Sequence, residues 1–168
     1  MQGWARVMRG EEKKGIEQIC QGLAAYRDSE AEEVLPYFLA LLAESYGRVG
    51  ETTLGLATVE EALAIVERHT ASHYAAELHR LKGELLLLQA AKHGAEAEAC
   101  FQRALDIARL QRAKSLELRA ALSVSRLWQR QGKAANARCL LASIYDWFSE
   151  GFDTPDLKAA EMLLRALK

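Results

Sequence analysis

The sequence predicts an all-α protein in which antiparallel helical hairpins stack into an α-solenoid. Three observations support this prediction: the composition, a repeat of about 40 residues, and apolar residues at helical spacing. Ala, Leu, Glu and Arg, which all favour helices, dominate the 168 residues, and only two prolines occur. Val, Ile and Thr are sparse, and no Asn-Gly or Asp-Gly pair marks a β-hairpin.

The repeat is marked by a glycine that precedes a polar step and a new helix. Gly10 and Gly50 lie 40 residues apart, and Gly132 follows Gly50 at 82 residues, about twice that period. The missing middle copy falls at Lys92-His93-Gly94. Because a single hairpin cannot bury both of its faces, stacked copies are needed to form a continuous core. Pairs of a small residue and a leucine repeat at a similar spacing, at Gly22-Leu23, Ala62-Leu63 and Ala104-Leu105.

The period places four units at about residues 1–29, 30–70, 71–112 and 113–150, within a single domain. Each unit carries two apolar stripes at helical spacing, and each stripe predicts one helix. In the second unit the first stripe is Leu35, Phe38 or Leu39, Leu42 and Tyr46, and the second is Leu56, Val59, Leu63 and Val66. We expect small residues at Gly22, Ala62 and Ala104 to let paired helices approach closely.

The two ends of the chain differ from the repeated units. A capping helix is predicted over residues 154–168, with Thr154 as N-cap and Pro155 at the first helical position. Its apolar residues fall on one side and its charged residues on the other, as a cap requires. At the front, the segment from Trp4 to Arg9 is too short for a full first helix. We therefore expect the chain to be a fragment of a longer protein.

The glycine step, the small residue of the second helix and the Ala-Leu pair resemble the tetratricopeptide repeat (TPR). The period exceeds the usual 34 residues of that repeat, and is closer to the longer variant of the maltose-regulon activator and its relatives. Residues 129–133, 137–138 and 147–154 are similar to the carboxyl end of large bacterial signalling proteins with cyclase or DNA-binding domains and an NTPase-like domain. The resemblance implies a right-handed superhelix and a regulatory, protein-binding role.

Composition and motifs exclude several other functions. The net charge of −1 argues against binding to nucleic acid or to an anionic membrane. No secretory signal, membrane-length apolar run, phosphate-binding loop or dinucleotide-binding motif is present. We therefore predict a cytoplasmic protein with no catalytic residues and no cofactor. The odd number of cysteines favours small packing residues over disulfides (Cys20, Cys100, Cys139).

The histidines offer the one alternative that involves a metal. His69, His73, Glu77 and His79 are close in sequence, and the spacing of His73 and Glu77 places both on one face of a helix. The segment lacks the His-Glu-x-x-His order of a metalloprotease. A histidine at a helix end that interacts with the helix dipole is the simpler interpretation, so no metal site is predicted.

The remaining candidate is a binding groove, which the resemblance places on the first helix of each hairpin. Arg119, Arg126 and Arg130 share one helix face and suit a carboxylate or an acidic peptide. A charged face that is only solvated is the alternative interpretation. Two other functions also stay open: self-association through an apolar front edge, and sensing of a small-molecule effector. The predicted groove comprises Tyr37, Glu44, Arg48, Arg80, Glu84, Arg119, Arg126 and Arg130.

Overall fold

The computed structural model describes residues 2–27, 34–68 and 73–167, and in these ranges the chain forms nine α-helices and no strand. The predicted all-α fold is therefore confirmed. Both prolines lie in the first turn of a helix, where their missing amide costs no intrahelical hydrogen bond. The helices are α1 (Gln2–Met8), α2 (Glu12–Arg27), α3 (Leu35–Arg48), α4 (Thr52–Arg68), α5 (Ala75–Gln89), α6 (Gly94–Leu110), α7 (Lys114–Arg130), α8 (Ala134–Tyr145) and α9 (Pro155–Ala166).

Consecutive helices pack as four hairpins: α1 with α2, α3 with α4, α5 with α6, and α7 with α8. The ninth helix packs on α7 and α8, as a cap does. Each odd-numbered helix also contacts the next odd-numbered helix, from α1 through to α9. The molecule thus has two layers, with the odd-numbered helices in one layer and α2, α4, α6 and α8 in the other.

Three of the hairpin turns contain the glycine that the sequence singles out. Gly10, Gly50 and Gly132 have φ values of 87°, 83° and 77°, a left-handed conformation that other residues adopt at a cost. The amide after each glycine donates to a carbonyl five residues earlier, at 2.8 to 3.0 Å. The third hairpin is different, and the expectation of the same turn there is wrong. Gly94 is helical and begins α6, and a 3₁₀ turn over Ala91–His93 replaces the glycine turn.

Apolar side chains form two core clusters along the solenoid. The front cluster joins α2 to α5 and includes Leu39, Val59 and Leu78. The rear cluster joins α5 to α9 and includes Phe101 and Leu141. Leu56 packs against both clusters, so the core continues from one to the other. In the capping helix, Leu157, Ala160, Leu163 and Leu167 belong to the rear cluster.

The small residues of the repeat do not all act in the same way. Ala62 and Ala104 are fully buried, in agreement with a role in close helix packing. The expectation is wrong for Gly22, because a Cβ atom there would meet nothing within 4 Å. Gly22 does not face a neighbouring helix; it borders an open cavity of about 570 Å³ that α1, α2 and α3 line. Gly83, which the repeat did not single out, does have a packing role, because it lies against the ring of Phe101.

Candidate functional site

The odd-numbered helices surround a cavity of about 750 Å³, which we call the central cavity. Since α1 and α9 border the same space, the odd layer curves around it and presents a concave surface. All five odd-numbered helices line the cavity, mostly with residues of their amino-terminal halves, although Glu44 lies in the carboxyl-terminal half of α3. Its lining residues are Gln2, Trp4, Ala5, Tyr37, Ala40, Leu41, Glu44, His73, Tyr74, Glu77, Leu81, Leu116, Arg119, Pro155 and Asp156.

Three aromatic side chains form much of the wall of the central cavity. The rings of Tyr37 and Tyr74 lie with their centroids 5.2 Å apart, and Tyr37 also packs against Phe38. The third ring is that of Trp4, whose indole N–H donates a hydrogen bond of 2.8 Å to the Glu44 carboxylate. This bond ties α1 to α3 and fixes the orientation of the Trp4 ring.

The carboxylate of Glu77 is the centre of a charge network across the layer. It accepts two hydrogen bonds from Arg80, at 3.0 and 2.7 Å, and lies 2.9 Å from the guanidinium of Arg119. Burial lowers the pKa of Arg80, but the hydrogen bonds to Glu77 and the nearby charges of Glu84 and Glu44 outweigh burial and raise it. Glu77 thus engages both guanidiniums, and its contact with Arg119 joins α5 to α7.

A smaller hollow of about 360 Å³ lies next to the central cavity, between α3 and α5. Glu44, Arg48, Arg80 and Glu84 all border it. The Ser123 hydroxyl of α7 donates to Glu84 at 2.6 Å, and Arg80 lies 3.6 Å from the same carboxylate. The guanidinium of Arg48 is exposed at the rim.

Arg126 and Arg130 lie on α7 beyond both hollows, and both are exposed. Within the described ranges, neither guanidinium forms an ion pair with a carboxylate. The three arginines of α7 are thus not equivalent. Arg119 belongs to the Glu77 network, whereas the other two present their charge to solvent.

Trp4, Tyr74 and Asp156 are among the residues that the structure adds to the predicted groove. The 40-residue period places Trp4 at the same position as Glu44 in the next unit, so an alignment of the units would have found it. No sequence pattern points to Tyr74. Asp156 lies in the first turn of the capping helix, and its approach to Arg119 at 3.9 Å depends on how α9 packs on α7.

The histidines and cysteines show no arrangement for chemistry in the described part of the chain. His69 lies outside the described residues, and among those described no group of three or more His, Cys, Asp or Glu side chains could hold a metal. Burial, then the charges of Arg103 and Lys82, lower the pKa of His79. Burial likewise raises the pKa of the Cys100 thiol, which disfavours the reactive thiolate. Cys139 is exposed, contrary to the expected packing role.

Comparison with known proteins gives information about the fold. No family model matches the sequence, and no curated protein is significantly similar to it. Among the described residues, no helix combines the length and the apolar character that crossing a membrane requires.

Two solved structures are similar to the chain over 98% of its length. One is a crystal structure of nearly identical TPR-like repeats from a protein described as a kinesin light chain of Podosopora anserina. It has a TM-score of 0.70 and 18% sequence identity, and 81% of that chain is covered. The other, a single-substitution variant of the same protein, has a TM-score of 0.71 and 16% identity, also with 81% covered. The chain therefore has the fold of TPR-like repeat proteins.

Proposed function

We propose that this chain is a non-catalytic module that binds a segment of another protein, or of another domain of its own parent, on the concave surface. The observation that carries the proposal is the central cavity, to which all five odd-numbered helices contribute. A binding surface made by successive repeats is what stacked hairpins provide, because each repeat adds one helix to the same face.

The side chains of the concave surface suit a protein ligand. Aromatic residues are enriched where protein interfaces are fully buried, and Trp4, Tyr37 and Tyr74 offer three such rings. The contacts that Arg80 and Arg119 make with the Glu77 carboxylate hold the surface in one arrangement before a ligand arrives. Such preorganisation reduces the ordering cost of binding.

Arg126 and Arg130 support an acidic segment as the ligand. Their guanidiniums are exposed and lie one helical turn apart on the same face of α7. A guanidinium can bind a carboxylate through two parallel hydrogen bonds. Acidic side chains of a bound segment would therefore pair with these two arginines, while its apolar side chains enter the central cavity.

A charge-reversal experiment tests this proposal. A random 12-residue peptide library displayed on phage would be selected against the 168-residue chain, and the affinity of selected peptides would be measured by fluorescence anisotropy. We expect Arg126→Glu with Arg130→Glu to weaken acidic peptides at least tenfold, since each charged hydrogen bond contributes about 1.5–3 kcal/mol. The matched control is Lys13→Glu with Lys14→Glu, on exposed positions of α2. A library that yields no binder, or binders indifferent to the arginine reversal, would contradict the proposal.

The proposal also concerns the longer protein to which this chain would belong. The similarity of residues 129–133 and 147–154 to the ends of bacterial signalling proteins supports a regulatory carboxyl-terminal domain in the cytoplasm. The NTPase-like or DNA-binding domain of such a parent would be a natural source of the bound segment. If this assignment is right, that domain should co-purify with this chain. The co-purification should be lost in the variant with Arg126→Glu and Arg130→Glu.

An effector-sensing function is the second candidate, because the central cavity has a size typical of small-molecule sites, about 300–1,000 Å³. Self-association has weaker support, since among residues 2–27 no large apolar side chain is strongly exposed on α1 or α2. Light scattering across concentration separates these functions from each other. A stable dimer would favour self-association, and a monomer would leave the concave surface as the binding site.

A further inference from the structure

The two ends of the concave surface differ in charge. The central cavity, lined mostly from the amino-terminal halves of the odd-numbered helices, is bordered by the carboxylates of Glu44, Glu77 and Asp156. Of these, Glu44 lies in the carboxyl-terminal half of α3, one turn before Arg48. The opposite end, towards the carboxyl-terminal ends of α3 and α7, presents exposed arginines. Those arginines are Arg48, Arg126 and Arg130.

The carboxylates of the central cavity are not all neutralised by its cations. Glu77 forms ion pairs with both nearby guanidiniums, those of Arg80 and Arg119. Asp156 is half-exposed and lies 3.9 Å from the Arg119 Nε atom, which is longer than a hydrogen bond. In the described part of the chain, Glu44 receives a hydrogen bond from the neutral indole of Trp4 and forms no ion pair. A negative charge therefore remains beside the three aromatic rings.

We infer that the concave surface binds a segment of mixed charge in a fixed orientation. A lysine or arginine of the segment, flanked by apolar side chains, enters the central cavity near Trp4, Glu44 and Asp156. Acidic side chains of the same segment pair with Arg126 and Arg130. This inference rests on the proposed function and adds to it the basic residue and the direction of the ligand.

Aromatic rings and carboxylates together favour a basic side chain over a neutral one. A cation over the face of Trp or Tyr is attracted by the ring electrons, and the attraction grows when water is excluded. The side chains of Lys and Arg also bury their methylene groups against apolar walls, here Leu41, Leu81 and Leu116, while the charged end reaches a carboxylate.

The length of α7 sets the spacing between the two charges of the segment. Arg126 and Arg130 follow Arg119, which borders the central cavity, by 7 and 11 residues. At 1.5 Å per residue this separation is about 10–16 Å along the helix. An extended chain covers about 3.3 Å per residue, so the acidic residues should lie about three to five positions from the basic residue.

The peptide library provides the test, with each charged end neutralised or reversed in turn. Selected peptides should carry Lys or Arg beside an apolar residue, with Asp or Glu three to five positions away. Glu44→Gln with Asp156→Asn should weaken these peptides at least tenfold, and Asp156→Asn alone should act in the same direction without touching the Trp4 bond. Glu17→Gln with Glu67→Gln, on exposed positions of the even layer, is the matched control and should have no effect.

The outcomes separate the inference from the proposed function. Peptides that depend on Arg126 and Arg130, but carry no basic residue and ignore Glu44→Gln with Asp156→Asn, would overturn the inference and leave the proposed function in place. A second set of peptides would place the acidic residues directly beside the basic residue. If these peptides bind as well as the selected ones, the fixed spacing is wrong. A library without any binder would contradict both.

Discussion

At the residue scale, the buried charges of this protein are neutralised by partners from neighbouring turns. Glu117, in the first turn of α7, is 4% exposed and accepts hydrogen bonds from Arg109 at 2.9 Å and Lys114 at 2.7 Å. The contacts join the end of α6 to the start of α7 across a turn in which Arg112 has a φ of 54°. A buried carboxylate without these partners would be costly, so the three residues act as a unit.

The first prediction concerns Glu117 and pH. Burial alone would raise the pKa of Glu117, but the bonds from Lys114 and Arg109 outweigh it and lower the pKa below its ordinary value of 4.5. The charged form therefore stabilises the fold above pH 4.5, and this contribution is lost as the pH falls through the lower folded-state pKa. Glu117→Gln should reduce the free energy of unfolding at pH 7 by about 1–3 kcal/mol.

Urea unfolding followed by circular dichroism at pH 7 and at pH 3 measures this effect. The difference between wild type and Glu117→Gln should shrink at the lower pH, because below pH 4.5 the carboxyl group of the unfolded wild type binds a proton and folding with a charged Glu117 must release it. Glu161→Gln is the control, since Glu161 forms an exposed pair with Arg165 on α9. Such pairs contribute about 0–1 kcal/mol. An equal effect of both substitutions would show that the buried contacts of Glu117 with Arg109 and Lys114 stabilise the fold no more than an exposed ion pair does.

At the scale of the elements, glycines set how closely the two helices of a hairpin approach. A Cβ atom at Gly83 of α5 would lie 2.4 Å from the Cε1 atom of Phe101 on α6. The Phe101 ring is fully buried in the rear cluster, so moving it aside would disturb the packing of that cluster. Gly22 is the opposite case, because its helix face borders open space. The same residue type thus has a packing role in one helix and none in another.

The second prediction uses this contrast. Gly83→Ala should destabilise the protein by about 1–3 kcal/mol, because overpacking at Phe101 exceeds the gain in helix propensity. Gly22→Ala should instead stabilise it by up to about 1 kcal/mol, since alanine favours the helix and meets no neighbour. Midpoints of thermal and urea unfolding measure both changes. Stabilisation by Gly83→Ala would mean that α5 and α6 separate at little cost.

At the scale of the whole molecule, the fold is a row of units that touch mainly their neighbours. The front and rear core clusters meet at Leu56, and hydrogen bonds between odd-numbered helices extend along the concave surface. In such a solenoid the stability is close to a sum of unit and interface terms. Damage to one cluster should therefore be felt first by the helices of that cluster.

The third prediction tests this local character of stability. Leu39→Ala in the front cluster should cost about 2–5 kcal/mol and increase amide hydrogen exchange mainly in α2 to α4. Leu141→Ala in the rear cluster is the matched variant and should increase exchange mainly in α7 to α9. Hydrogen exchange read by mass spectrometry resolves the two halves. Uniform acceleration along the chain in both variants would show one cooperative unit instead.

The sequence by itself determined the fold class, because the apolar stripes and the 40-residue period are local patterns. The turn at Gly132 was predictable for the same reason, since a left-handed residue after a helix end favours glycine. The identical argument failed at Gly94, where a 3₁₀ turn removes the need for a positive φ. A glycine that recurs at the repeat period therefore does not specify the φ angle in every unit of the repeat.

Only the tertiary structure decided which charges of the concave surface are engaged. Helical phase alone makes Arg119 and Arg126 equivalent, yet Glu77 and Asp156 lie near the first, and the described residues place no carboxylate beside the second. The central cavity also joins Trp4 of α1 to Asp156 of α9, which are 152 positions apart in the sequence. Their proximity follows from the curvature of the stacked helices, which is the sum of many small packing angles between units.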